Sequence, residues 1–88
     1  MIGEAGFENP QDCRVRILLK TRGRIRITLH SEMEKMFGKT IRQTVKEELE
    51  VLGIKHAEVE IFDFGSLDFV IRARIKTAAG RAGSGKNA

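Results

Sequence analysis

Residues 13–30, CRVRILLKTRGRIRITLH, decide the fold, because they hold two runs in which apolar and polar residues alternate. In the first run Cys13, Val15, Ile17 and Leu19 are apolar, and Arg14, Arg16 and Lys20 are their polar counterparts. In the second, Ile25, Ile27 and Leu29 alternate with Arg24, Arg26, Thr28 and His30. Period-two alternation puts one set on a buried face and the other in solvent. Thr21 to Gly23 supplies a turn between the runs. The spacing predicts a β-hairpin with one apolar face and one basic face.

The next segment, SEMEKMFGKTIRQTVKEELEVLG, changes period. Met33, Met36, Phe37, Ile41, Val45, Leu49 and Leu52 recur every three or four positions, the stripe of an amphipathic helix. Ser31 with Glu34 three residues on reads as a capping box at its start, and Gly53 suits the left-handed stop. Gly38 in the helix interior points to a close neighbour. HAEVEIFDF then returns to period two, with Ala57, Val59 and Ile61 on one face and Glu58, Glu60 and Phe62 on the other. Gly65 ends that strand. Ser66 is placed to cap a second helix whose apolar face is Leu67, Val70, Ile71, Ile75, Ala78 and Ala79, with Asp68 in its first turn.

The expected fold is therefore α+β: a small three-stranded sheet, in the order β-β-α-β-α, with two helices packed on one face. Residues 1–12 read as an exposed N-terminal loop, 13–79 as a single domain and 80–88 as a flexible tail. With 88 residues, 41% of them hydrophobic, the chain supports one small core. No apolar run approaches the roughly 18 residues of a membrane span, and the opening residues lack a secretory pattern; both point to the cytoplasm.

The net charge of +4 invites a nucleic-acid reading. Residues 13–30 carry Arg14, Arg16, Lys20, Arg22, Arg24 and Arg26 without an acid. That face can equally be solvated, paired to Glu58 and Glu60 on a neighbouring strand, or used by an acidic partner. Its outward residues include no aromatic for base stacking, which weighs against nucleic acid. Catalysis finds little support. His30 and His56 stand at element boundaries without ligand spacing around them, so no metal site is expected, and GRAGSGK lacks the strand a phosphate loop needs. Cys13, the only cysteine, lies in the apolar alternation and reads as a buried thiol. Phe62, Phe64 and Phe69 crowd the Gly65 corner, either as a satellite cluster or as an exposed docking patch.

Three stretches carry a family resemblance. GSLDFVIRARIKTA, residues 65–78, resembles the Gly-Ala-Leu-Asp-Cys-Val-Leu-Arg-Ala-Arg signature of the citrate lyase acyl carrier protein, the gamma subunit. SEMEKMFGKTIRQTV is similar to that family's Ser-x-Glu-Lys-x-Phe-Gly-x-x-Ile-Arg stretch, and AGFENPQD followed by RVRI to its Ala-Gly-Thr-Leu-Glu-Ser-x-Asp loop and first strand. The resemblance implies a non-catalytic carrier subunit. Its opening loop would bear a phosphoribosyl-dephospho-CoA prosthetic group on a serine, hence a phosphoprotein. That arm would be presented to acyltransferase and lyase subunits, the large alpha and beta subunits of a citrate lyase-like complex.

Carried onto this chain, the loop positions are Gly6, Pro10 and Asp12, with Arg14, Arg16, Arg24 and Arg26 as contacts for an anionic arm or a partner. Pro10 falls where the family has its attachment serine, and proline cannot be esterified. No hydroxyl lies between Met1 and Thr21. Three accounts stay open: a scaffold without the arm, attachment through another residue, or an unrelated present role such as an interaction module or a small basic nucleic-acid-binding domain.

Overall fold

The structure, a computed structural model, describes residues 1–83. Its elements are β1 (Ile2–Gly6), β2 (Cys13–Leu19), β3 (Ile25–Ser31), α1 (Glu34–Val51), β4 (Ala57–Asp63) and α2 (Asp68–Arg81). The class is α+β as expected, but the sheet has four strands, ordered β1-β2-β4-β3.

Two corrections follow. The stretch read as an exposed leader contains β1, which pairs antiparallel with β2 from Ile2↔Leu18 to Gly6↔Arg14. Its five residues include two glycines and one alanine, so no apolar alternation marks it. Those small residues are what the site requires. A Cβ on Gly3 would collide with the backbone of α2 at Ala78 and Arg81 and of Ala82 just past it, so β1 can lie against that helix only with a bare Cα. The second correction concerns β2 and β3, which do not form a hairpin. β4 lies between them, antiparallel to β2 and parallel to β3. α1 is the crossover that a parallel β3–β4 pairing needs. His56 fixes the Lys20–Arg24 connection from the β4 side: its Nδ1 donates to the Gly23 carbonyl at 2.6 Å, and its own carbonyl accepts the Lys20 N–H.

Both helices cover one face. Ala5, Val15, Ile61 and Leu29 form one row beneath them, and Ile17 and Val59 lie in the next. Ile41, Val45 and Leu49 of α1 and Ile71, Ile75, Ala78 and Ala79 of α2 complete the core. Gly53, with φ +73, ends α1 as expected, and Gly38 is buried against Leu29. The upper part of the expected α1 stripe departs from the pattern: Met33, Met36 and Phe37 are all exposed. Neither expected cap forms, since Met33 and Leu67 hold the N-cap positions without side-chain bonds. α2 continues to Arg81 and Ala82 is buried, so the described chain stays packed beyond residue 79. The rest of the expected tail, 84–88, lies outside the described residues. No helix among the described residues is long and apolar enough to cross a membrane.

Candidate functional site

One end of the sheet gathers the β1–β2 loop, the end of β3, the start of α1, the end of β4 and the start of α2. The loop, residues 7–12, turns at Asn9–Asp12, where the Asp12 N–H donates to the Asn9 carbonyl at 3.0 Å. Pro10 takes the second position and Gln11, with φ 65, the third, as a type II turn requires. The turn is tied to the end of β4 twice: Gln11 N–H donates to the Phe64 carbonyl at 2.7 Å, and Phe64 N–H to the Asp12 carbonyl at 3.0 Å. Gly6 admits the chain with φ +93, where a Cβ would strike the Cys13 carbonyl.

Asp12 anchors the loop from below. Its Oδ1 accepts the Cys13 N–H at 2.7 Å, and both carboxylate oxygens accept from Arg74, Nε at 3.1 Å and an η nitrogen at 2.8 Å. The Arg74 guanidinium, with the Cys13 amide second, holds the Asp12 carboxyl below the ordinary aspartate range. Arg74 in turn lies 5.7 Å from the Phe7 ring centroid. Beneath the loop Cys13 is fully buried, and desolvation pushes its thiol up to about 11.

Asp63 ends β4 on the inner face, beside Cys13 and Ser31 in register. Ser66 donates both its N–H (3.0 Å) and its hydroxyl to Oδ1, while the Ser31 hydroxyl donates to Oδ2 at 3.2 Å. The Ser31 Oγ also accepts the Met33 N–H at 3.1 Å. The serines read as helix caps are thus spent on Asp63. Above them lies a groove of about 730 Å³, lined by Glu8, Pro10, Met33, Phe62 and Phe64 with His30, Glu32 and Asp63.

The four arginines expected to act together are dispersed. Arg14 lies on the open face of the sheet, 4.7 Å from the Phe62 centroid, and pairs with Glu4 and Glu8. On the other strand side, His30 stacks on Phe62 at 4.5 Å and bonds Glu60 at 2.8 Å. Arg16 stands in register between Glu4 and Glu60, and Arg26 opposite Glu58. Arg24 precedes β3 in the connection. Because β4 intervenes, its acids break the basic face into alternating charge. Only Arg14 and Pro10, with Gly6 and Asp12 behind them, meet at the loop end. Arg74 and Phe64 hold the loop and were absent from the expected loop and arm contacts, although Phe64 stood in the aromatic cluster noted at the Gly65 corner. For Arg74 the sequence cue was the Arg72-Ala73-Arg74 pattern, whose arginines point about 200° apart on a helix. Arg72 accordingly faces α1, pairing with Glu47, Glu48 and Asp68.

A phosphoester-linked arm does not fit this loop. The turn offers proline at its apex, the Ser31 hydroxyl is engaged on both sides, and the adjoining groove is lined by Glu8 and Glu32 with the buried Asp63 beneath. Among the described residues no cluster of His, Cys, Asp or Glu is placed to hold a metal ion.

Comparison with known proteins gives this scaffold its relatives. Residues 3–82 match the ACP family described as malonate decarboxylase delta subunit (MdcD). The citrate lyase acyl carrier protein of Enterobacter sp. (strain 638) is 41% identical over 78 residues, 89% of this chain and 79% of the relative. That of Vibrio cholerae is 42% identical over 78 residues, covering 89% and 80%. That of Halothermothrix orenii is 35% identical over 81 residues, covering 92% and 85%. A match along nearly the whole chain, loop and both helices included, means that the chain belongs to this acyl carrier family of malonate decarboxylase delta subunits and citrate lyase acyl carrier proteins.

Proposed function

We propose that this chain is a small, non-catalytic subunit of an acyl-lyase complex of the citrate lyase kind, engaging large alpha and beta subunits through the loop end of its sheet. The observation that carries the reading is the double clamp on loop 7–12. Asp12–Arg74 from α2 and Phe64 just past β4 hold the loop in one conformation at the exposed end. A family scaffold with such a clamp and Pro10 at its turn apex holds the loop out with no serine there to esterify. The chain then contributes position and contact within the complex, and a phosphoribosyl-dephospho-CoA group is not attached at this loop.

The basic-patch alternative has no comparable support, since Glu58 and Glu60 interrupt the arginines in register. The test is purification of the full chain from its own host. The expected result is the bare intact mass, in association with two larger subunits. A chain that purifies alone would overturn the subunit reading. An added mass mapped to residues 1–20 would overturn the statement about the loop.

A further inference from the structure

The groove beside Pro10 is more apolar and more acidic than the rest of the surface would lead one to expect. Among the described residues, seven of the ten large hydrophobics left exposed belong to this end: Met33 and Phe64 at the groove, Phe7 in the loop, and Met36, Phe37, Leu67 and Phe69 on the helix starts. Their fractional exposures run from 41% for Phe64 to 71% for Met36. Apolar surface concentrated in this way marks an interaction site. The volume of about 730 Å³ is that of a binding cleft.

Charge selects the occupant. The chain carries +4, yet the groove is lined by three acids and one imidazole. Glu8 pairs with Arg14, and Asp63 is buried and accepts from Ser31 and Ser66, which leaves Glu32 as the carboxylate open to an occupant. His30 is already bonded to Glu60, and Arg14, whose guanidinium lies over the Phe62 ring, is engaged by Glu4 and Glu8. Glu32 has no ion-pair or hydrogen-bond partner among the described residues and is exposed at the rim. Phosphates, nucleic acid and anionic lipid would all meet carboxylates here. A cationic side chain beside an apolar one would meet complementary groups.

We propose that the groove seats a segment of a protein partner that inserts an apolar side chain against Met33, Phe62 and Phe64 and sets a Lys or Arg against Glu32. The inference rests on the subunit reading above, with one of the large subunits as the partner. It assigns the contact to an electronegative groove and not to an anionic arm.

The test measures binding of the full chain to the large subunits isolated with it. Phe64→Glu and Glu32→Lys should each weaken binding, the first by roughly tenfold or more, as loss of a central anchor does. Val51→Glu, at 76% exposure on the far end of α1, should bind like the unaltered chain. Thermal melts check that all three remain folded. Groove variants that bind like the unaltered chain would overturn the proposal while leaving the subunit reading intact. Where the unaltered chain itself fails to bind the large subunits, the subunit reading falls, and a peptide titration decides the groove. Shifts in ¹⁵N resonances at Glu32, Met33 and Phe64 with a Leu/Lys peptide, and not with its Leu/Glu counterpart, support it. Equal shifts or none overturn it.

Discussion

Asp12 divides one carboxylate between the Cys13 amide and the Arg74 guanidinium, so replacing it loosens two of the loop's ties. Asp12→Asn should cost about 1.5–3 kcal/mol in urea melts near neutral pH, the range for bonds to a charged group. The sign with pH follows from the lowered carboxyl pKa. The contribution is fully present above the ordinary aspartate value near 4 and is lost as pH falls through the lowered one, so variant and unaltered chain should converge in acid. At Gln11 the left-handed φ is a strain that glycine lacks. Gln11→Gly should therefore leave stability unchanged or raise it by up to ~1 kcal/mol. Cys13, buried and with its thiol pushed up to about 11, should react with alkylating reagents only as fast as the domain opens. Pro10 and Asp12 were legible at this scale because turn residues act locally. Arg74 was not, because its partner lies 62 residues away and nothing in a helix pattern names it.

Strand existence was readable where apolar and polar residues alternate, and partners were not. Alternation in Cys13–Leu19 and Ile25–Ser31 states which side chains are buried. It is silent on whether the neighbouring strand is the next in sequence. Lys20 to Arg24 is long enough to step across one intervening strand, and the β3-α1-β4 order was the better guide, since a helix between strands allows parallel pairing. β1 was missed because Gly3 and Ala5 present almost no side chain. Gly3→Ala should accordingly destabilise by about 2–3 kcal/mol, as an overpacked contact does, and chiefly at the β1–α2 seam. Amide exchange in Ile2–Gly6 would accelerate more than in β4. Helix α1 was legible in its lower stripe: Ile41, 7% exposed, faces the core, and Ile41→Ala should cost ~2–5 kcal/mol in a denaturant melt.

Across the whole molecule, helices do more than cover one face. An Arg42 η nitrogen donates to the Ile27 carbonyl at 2.9 Å, and Arg81 to the Glu4 carbonyl at 2.9 Å. Each edge strand thus has one carbonyl occupied by a side chain from the helix above it, which blunts edge-to-edge pairing. The open face is a patchwork in which Arg16, Glu60, Glu58 and Arg26 occupy adjoining rows. With its positive charge so divided, the chain should show no tight, steeply salt-dependent binding to generic RNA or DNA in a filter or anisotropy assay, despite its net +4. The place of β4 between β2 and β3 also has a consequence in time. On a ribosome adding about 5–20 residues per second, the 25 residues from Glu32 to His56 take roughly 1–5 s to appear. During that interval β1 and β2 can pair, while β3 waits beside an empty lane. The sulfur of Cys13, sealed in the finished domain by a strand and a helix made later, therefore spends part of its synthesis open to the redox chemistry of the cell.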